Sequence, residues 1–204
     1  QGSAAIARCC DEARHFGFAG VCVASRWVEL AREKLPLSGS GKGQSPKLIA
    51  VVGFPFGAIP QGIKQAEAEA ALEAGADELD VVPDFGALAD GNTTAVLDEL
   101  AAICELDRPV KVILEAGRLD GEALALLVEI SIDAGVRYLK SGSGFGPPVT
   151  VAQVQTLRDL ARGRAAVKAS GGIASLEHAL DLVEAGASRL GTSRGIALMQ
   201  ALRA

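Results

Sequence analysis

The sequence predicts an α/β protein whose parallel strands form a (β/α) barrel. Helix-like and strand-like segments alternate along the chain, and strands that are separated by helices pair in parallel through crossovers. The units recur at a spacing of roughly 23 to 32 residues, which suits the βα units of a barrel. Charged residues also fall on strand positions that face away from the helices. A barrel interior accommodates such residues better than the helix-covered face of an open, doubly wound sheet.

The individual elements follow from hydrophobic periodicity and from the turn residues between them. The run KLIAVVGF is typical of a strand that is buried on both faces, and IKQAEAEAALEA is typical of a helix. The predicted helices are Ala4–Phe16, Trp27–Leu35, Ile63–Ala74, Thr94–Cys104, Gly121–Ala134, Val151–Ala161, Leu176–Ala185 and Gly195–Leu202. The seven predicted strands are Gly20–Val23, Lys47–Phe54, Glu78–Val82, Val110–Glu115, Tyr138–Ser141, Ala165–Ala169 and Arg189–Thr192. Residues 37–46, which are rich in Gly and Ser, are predicted to form a flexible loop.

A repeated pattern connects the helices to the strands. Three segments align without gaps and a fourth fits loosely: Ala74–Asp80, Ala134–Lys140, Ala185–Gly191 and Phe16–Cys22. The glycine in each is predicted to end a helix, because glycine adopts the left-handed conformation at little cost. Strand side chains alternate between the two faces of a sheet. We therefore expect Asp80 and Lys140 to face away from the helices, and the same alternation turns Lys168 inward.

The composition limits the classes of function. The 204 residues carry a net charge of -5 and are 4% aromatic, which argues against a nucleic-acid partner. No apolar run is long enough to span a membrane. The four cysteines form no C-x-x-C pair and no zinc-finger spacing, so we expect a reducing, cytoplasmic compartment. We predict a single domain over residues 4–204 and regard residues 1–3 as a vector-derived remnant.

Two lysines and an aspartate are predicted to meet on the inward face of the barrel, namely Lys140, Lys168 and Asp80. Close ammonium groups repel and burial disfavours their charge, so the pKa of one lysine should fall toward neutrality. A neutral amine can attack a carbonyl carbon and form a Schiff base, while the second lysine and the carboxylate transfer protons. The alternative is a structural salt bridge inside the barrel, which composition alone leaves open.

Glycine-rich turns follow the last two predicted strands, at Ser170–Ile173 and Gly191–Gly195. Each turn leads into a helix, whose N-terminal N–H groups can bind an anion. In barrels of this type, the loops after the last two strands commonly bind phosphate. Tight turns alone would explain the glycines equally well. Two such turns in succession, one of them carrying Arg194, favour a phosphate site.

Several segments resemble the signatures of deoxyribose-phosphate aldolase, and they occur in order along nearly the whole chain: Val51–Gly57, Ala74–Val82, Val110–Glu115, Tyr138–Phe145 and Val167–Ile173. The resemblance implies a (β/α)8 TIM barrel and a class I aldolase that uses neither a metal nor a cofactor. The implied reaction is the reversible cleavage of 2-deoxy-D-ribose 5-phosphate to acetaldehyde and D-glyceraldehyde 3-phosphate. The implied partner is a small phosphorylated sugar rather than a nucleic acid or a membrane, and a homodimer is left open.

The resemblance also implies roles for individual residues. Lys140 would form the Schiff base, Lys168 would lower the pKa of Lys140 and relay protons, and Asp80 would act as the acid and base. Contacts with the substrate or its phosphate are implied for a larger set: Gly171, Gly172, Gly191, Ser193, Arg194, Cys22, Ser141 and Ser143. Arg194 stands where a second Ser is common, so it either binds phosphate directly or points to solvent.

The sequence departs from the family's pattern elsewhere as well, and Ala116 stands after Glu115 where the family usually has Thr. Seven strands are found where a closed barrel has eight, so the first strand is predicted to be missing from this chain. The usual Lys-Thr-Ser-Thr-Gly run is replaced by Lys140-Ser141-Gly142-Ser143-Gly144. Two other functions are therefore weighed. One is a Schiff-base aldolase for a different phosphorylated sugar, and the other is a catalytically silent barrel that serves as a binding or assembly subunit.

Overall fold

The computed structural model describes residues 2–35 and 45–203. In these residues seven strands alternate with helices. The strands are β1 (Gly20–Ala24), β2 (Lys47–Val52), β3 (Glu78–Val81), β4 (Val110–Ile113), β5 (Tyr138–Lys140), β6 (Ala166–Ser170) and β7 (Ala187–Gly191). The helices are α1 (Ser3–Phe16), α2 (Val28–Lys34), α3 (Gln61–Glu73), α4 (Phe85–Ala89), α5 (Thr93–Cys104), α6 (Gly121–Asp133), α7 (Val151–Ala161), α8 (Leu176–Glu184) and α9 (Gly195–Arg203).

Each predicted strand and helix is present, with boundaries that differ by at most two residues. The short helix α4 was not predicted, because its five residues are too few to show a helical period. It begins where the Asp84 carboxylate accepts hydrogen bonds from the N–H groups of Gly86 and Ala87. Ser3, which the sequence placed in the vector-derived remnant, is the first residue of α1. Most of the predicted loop 37–46 lies outside the described residues.

All seven strands are parallel and lie side by side in chain order. The sheet is strongly rolled. This is shown by the guanidinium of Arg189 on β7, which contacts the carboxylate of Glu78 on β3 at 2.6 Å. In a flat sheet, strands four positions apart would be separated by roughly 19 Å. Helices α1 and α9 also contact each other across the open side. The rolled sheet confirms the barrel-type prediction, and the described residues contain the seven strands that were predicted.

The two faces of the sheet differ as the strand alternation predicts. Val21, Leu79, Leu139 and Val167 pack among the helices in the hydrophobic core. The concave face instead carries charged side chains, which is where the site is built. The glycines that were predicted to end helices adopt positive φ angles: +70° at Gly17, +103° at Gly75, +94° at Gly135 and +118° at Gly186. Among the residues described, no helix has the length and apolar character needed to cross a membrane.

Candidate active site

The predicted constellation of two lysines and an aspartate is assembled on the concave face. Asp80 lies on β3, Lys140 on β5 and Lys168 on β6, where Lys140 and Lys168 are direct partners in the strand register. The two lysine Nζ atoms donate to the same oxygen, Asp80 Oδ2, at 2.9 Å from Lys140 and 2.7 Å from Lys168. All three side chains are buried. The structure therefore brings together the residues that the strand alternation placed on one face.

A third buried lysine, Lys111 on β4, was given no role by the sequence analysis. Its Nζ lies 2.9 Å from Asp80 Oδ1 and 2.6 Å from Glu78 Oε2, and its side chain has no exposed surface. Lys111 is paired with Asp80 in the strand register. The alternation that turned Asp80 inward applies equally to Lys111, so this signal could have identified it. Lys111 holds one oxygen of Asp80 and leaves the other to the lysine pair.

A second layer of charge lies deeper in the barrel, toward the amino ends of the strands. Glu78 forms an ion pair with Lys111 and accepts a hydrogen bond from Arg189, and the Arg189 guanidinium stacks over the ring of Tyr138 at 4.5 Å from its centre. Burial opposes the charge of Glu78, but its interactions with Arg189 and Lys111 outweigh that effect and lower the pKa of Glu78. Through its ion pair with Lys111, Glu78 holds that lysine in place from the side of the strands' amino ends.

The barrel interior contains more cations than carboxylates. Among the described residues, the cations that form ion pairs there are Lys111, Lys140, Lys168 and Arg189, and their carboxylate partners are Asp80 and Glu78. Burial disfavours the charged form of Asp80, but the surrounding lysine ammonium groups prevail and hold the pKa of Asp80 far below its usual range. Asp80 is therefore an ionised carboxylate, and the surplus of positive charge falls on the lysines.

The prediction that one lysine pKa should fall is met, but at Lys168 rather than at Lys140. Burial lowers the pKa of Lys168, and repulsion by Lys140 and Lys111 adds to this against the attraction of Asp80. At Lys140, burial is outweighed by negative neighbours, chiefly Asp80 with a contribution from Glu115, so its pKa is raised. The expected fall at Lys140 was therefore wrong. The two lysines share Asp80 Oδ2 as their acceptor, so the charge of each lysine affects the pKa of the other.

Cys22 faces the same interior from β1. Its Sγ lies 3.8 Å from Asp80 Oδ2, and the residue remains accessible to solvent because β1 is an outer strand of the described sheet. Protein atoms nevertheless surround the sulfur densely, and this burial, followed by the charge of Asp80, raises the pKa of the Cys22 thiol. Cys22 is thus placed beside the lysine pair as an uncharged thiol.

The two glycine-rich turns lie at the carboxyl ends of β6 and β7, next to the lysine pair. Gly171 and Gly172 have φ angles of +107° and +71°, and a Cβ at Gly172 would lie 2.6 Å from Pro148 Cβ. A Cβ at Gly191 would lie 3.2 Å from Lys168 Cε, so the second turn begins directly beside the lysine. Ser193 and Arg194 follow it, exposed, at the start of α9.

Two of the predicted substrate contacts are already engaged within the protein. The buried Ser141 hydroxyl donates to the Ser170 carbonyl oxygen at 3.0 Å and accepts from the Ser170 N–H at 2.9 Å. The Ser143 hydroxyl donates to the Glu115 carboxylate and accepts from the Phe145 N–H at 3.0 Å. Both hydroxyls therefore connect loops at the barrel mouth, and their contact with substrate stays a prediction.

The candidate site contains amines, carboxylates, a thiol and backbone N–H groups. In the part of the chain that is described, no three His, Cys, Asp or Glu side chains come together as a metal site would need. The chemistry that its own side chains can supply is attack by an amine on a carbonyl carbon, combined with proton transfer.

The chain is similar to curated proteins and to solved structures over nearly its whole length. It is 46% identical over 191 residues to the deoxyribose-phosphate aldolase of Trichormus variabilis, which covers 93% of this chain and 82% of the relative. The enzyme of the same name from Thermosynechococcus vestitus is 46% identical over 197 residues, covering 96% and 88%. No protein-family model matches the chain.

Two solved structures share the fold closely. The aldolase QR15 superposes with a TM-score of 0.91 at 35% identity, covering 99% of this chain and 89% of its own. The tetrameric deoxyribose phosphate aldolase of Aeropyrum pernix gives 0.87 at 33% identity, covering 100% and 86%.

A rolled parallel sheet with buried charged residues near the carboxyl ends of its strands is typical of an enzyme of the (β/α)-barrel class. The relatives narrow this class, because their identity of 46% extends over most of both chains. The chain belongs to the deoxyribose-phosphate aldolase family.

Proposed function

We propose that this chain reversibly cleaves 2-deoxy-D-ribose 5-phosphate to acetaldehyde and D-glyceraldehyde 3-phosphate through a Schiff base on Lys140. The observation that carries the proposal is the pair of lysines on one oxygen of Asp80, in a chain whose relatives bear the name of this activity. A one-to-one salt bridge would need a single lysine for that carboxylate. The surplus amine is what a Schiff-base enzyme requires.

The reaction begins when Lys140 is freed of its proton. Lys168 has the lowered pKa and shares Asp80 Oδ2 with Lys140, so neutral Lys168 accepts that proton. The Lys140 amine then attacks the aldehyde carbon C1 of the open-chain sugar. Loss of water from the carbinolamine gives an iminium ion. Ionised Asp80 stabilises this cation across the short distance that it already bridges to Lys140 Nζ.

The carbon–carbon bond between C2 and C3 breaks next. A base removes the proton of the C3 hydroxyl, the C2–C3 electron pair moves toward the iminium, and D-glyceraldehyde 3-phosphate leaves. The remaining enamine is protonated at C2, and water releases acetaldehyde from the resulting iminium. Asp80 is ionised, because the lysine ammonium groups hold its pKa far below the usual range, so it carries no proton of its own to donate. Lys168 carries these protons, with Asp80 holding it in place.

The phosphate group is assigned to the two glycine-rich turns. Backbone N–H groups at Gly171, Gly172 and Gly191, with Ser193 and Arg194 at the start of α9, supply donors and positive potential for a phosphate. The second turn lies directly beside Lys168, so a phosphorylated sugar bound there places its carbon chain next to the lysine pair. Cys22, Ser141 and Ser143 are assigned to the surroundings of the carbon chain.

The proposal also includes the oligomeric state of the chain and its cellular compartment. A homodimer in the cytoplasm is proposed, and the solved relative from Aeropyrum pernix is described as a tetramer. Light scattering of the purified chain at several concentrations distinguishes the two states. A monomer at all concentrations would contradict both.

The proposal is tested by trapping the intermediate. Acetaldehyde and borohydride should add one ethyl group to the wild-type chain, and peptide mapping should locate it on Lys140. Turnover of 2-deoxy-D-ribose 5-phosphate should release acetaldehyde and D-glyceraldehyde 3-phosphate in equal amounts. Trapping on Lys140 without turnover of this sugar would indicate a Schiff-base aldolase for another sugar phosphate. Absence of both trapping and turnover would indicate a catalytically silent barrel.

A further inference from the structure

Glu115 has an unusual backbone conformation at the carboxyl end of β4. Its φ angle is +47°, in the left-handed region that non-glycine residues occupy rarely and at a cost. The strand ladder continues on both sides of it, because Leu114 N–H donates to the Lys140 carbonyl oxygen and Ala116 N–H donates to that of Ser141. An isolated strained residue within an intact ladder indicates that its side chain is needed where it points.

The Glu115 carboxylate is enclosed by the loop that follows Lys140. It accepts the N–H of Ser143 at 3.3 Å on each oxygen and also accepts the Ser143 hydroxyl. Two glycines make room for it: a Cβ at Gly142 would lie 2.9 Å from Oε1 and a Cβ at Gly146 would lie 2.4 Å from it. The loop therefore depends on two glycines because it closes around this carboxylate.

The same loop is tied on its other side to the end of β6. Besides the two bonds between Ser141 and Ser170, the Ser170 hydroxyl donates to the Gly142 carbonyl oxygen at 2.6 Å. Ser170 leads directly into Gly171, whose carbonyl oxygen accepts from the Val149 N–H at 3.0 Å. A continuous set of hydrogen bonds thus runs from Glu115, through the loop after Lys140, to the first glycine-rich turn.

We propose that Glu115 is a positioning residue whose carboxylate fixes the loop after Lys140 and, through Ser170, sets the distance between the Schiff-base lysine and the phosphate-binding turn. The inference rests on the proposed function, because it concerns a substrate that must reach both places at once. Attack on acetaldehyde alone involves only Lys140 and needs no such alignment. Cleavage of a phosphorylated sugar needs both ends to be held in register.

Two variants separate the contact from the backbone strain. Glu115→Asn removes the contact, since the shorter side chain falls short of Ser143, and asparagine tolerates the left-handed conformation. Glu115→Gln keeps the length and one acceptor oxygen but removes the charge. The control is Glu129→Gln, which alters an exposed glutamate that is bonded to Arg164 on the outer surface.

The expected result is a selective loss. Glu115→Asn should lower kcat/KM for 2-deoxy-D-ribose 5-phosphate by about 10- to 150-fold, as expected for lost charge-assisted hydrogen bonds. The kcat/KM of Glu115→Gln for this sugar should lie between the values of Glu115→Asn and the wild type, and that of Glu129→Gln should equal the wild-type value. For non-phosphorylated 2-deoxyribose the loss should be less than about threefold, and borohydride trapping of acetaldehyde on Lys140 should remain.

Other outcomes would overturn the inference. Equal losses on phosphorylated and non-phosphorylated sugar would show that Glu115 supports the fold or Lys140 itself. Wild-type kinetics in Glu115→Asn would show that the contact has no role in alignment. Failure of the proposed function is distinguishable, because the wild-type chain would then not turn over 2-deoxy-D-ribose 5-phosphate, whether or not acetaldehyde is trapped on Lys140. Should Glu115→Asn not fold, Glu115→Gln with its conserved length decides by the same comparison of the two sugars.

Discussion

Two buried groups of lysine and carboxylate occur in this molecule, and they differ in their balance of charge. In the barrel interior, Asp80 is contacted by three lysines within 2.9 Å. Between helices α3 and α5, Lys64 meets Glu99 alone at 2.7 Å, and both side chains are buried. The same residue types are thus used once with a surplus of cations and once as a matched pair.

The difference separates a reactive site from a structural one. At the matched pair, burial raises the pKa of Glu99 even though Lys64 and the Asp84 N–H favour its charged form. That pair holds the loop after β3, since Glu99 also accepts from the Asp84 backbone. In the barrel interior burial, together with repulsion by Lys140 and Lys111, instead lowers the pKa of Lys168, which makes an amine available for chemistry. A one-to-one pair has no such amine to offer.

The largest effect on activity is expected when the barrel interior loses its reactive lysine. Lys140→Met should abolish turnover and borohydride trapping of acetaldehyde, because the nucleophile itself is gone. It should leave stability unchanged or slightly raised, because one repelling cation is removed while Lys111 and Lys168 still pair with Asp80. Mass spectrometry and urea unfolding of the same sample measure both quantities.

Lys64→Met is the matched substitution in the other group and should show the reverse. It leaves Glu99 buried without its partner, which should lower the free energy of unfolding by about 3–5 kcal/mol. Trapping on the folded variant should persist, since Lys64 lies outside the barrel interior. If Lys140→Met were the more destabilised of the two, the distinction between the groups would be wrong.

A smaller effect on activity is expected at the arginines, of which one is paired with a carboxylate and another is not. Arg189 is paired with Glu78, whereas the Arg194 side chain is exposed and has no acidic partner among residues 2–35 and 45–203. Arg194→Ala should raise KM for 2-deoxy-D-ribose 5-phosphate by roughly 10- to 150-fold, the range for a lost charge-assisted contact. Non-phosphorylated deoxyribose should be affected much less. Equal losses in steady-state assays of the two sugars would mean that Arg194 has no contact with phosphate.

Much of the fold could be predicted because it depends on local sequence patterns. Helix-ending glycines and alternating strands gave the number of strands, their parallel pairing and the inward direction of Lys140, Lys168 and Asp80. Lys111 lies on a strand that no Ala-Gly segment precedes, but the alternation that turns Asp80 and Lys168 inward applies to it equally. Helix α4 was missed because one short turn of helix carries no periodic signal.

The remaining features depend on contacts between distant segments. The assignment of the lowered pKa to Lys168 required knowing that Glu115 and Asp80 act on Lys140, which no spacing in the sequence reveals. The engagement of Ser143 by Glu115 likewise joins two loops that are separated along the chain. Pairwise distances between such groups arise only from the rolled sheet.

Burial and the surplus of positive charge around Asp80 together lower the pKa of one lysine in the site, Lys168. The most direct test is the pH dependence of single-turnover imine trapping with acetaldehyde in the wild type and in Lys168→Leu. The wild type should trap well below pH 10.4, the ordinary lysine pKa. Removing Lys168 eliminates both a repelling charge and the base that deprotonates Lys140, so the pKa of Lys140 rises and less neutral amine exists at a given pH. The profile should therefore move to higher pH by about one unit or more. A wild-type profile centred near pH 10.4, or one unchanged in Lys168→Leu, would contradict the claim.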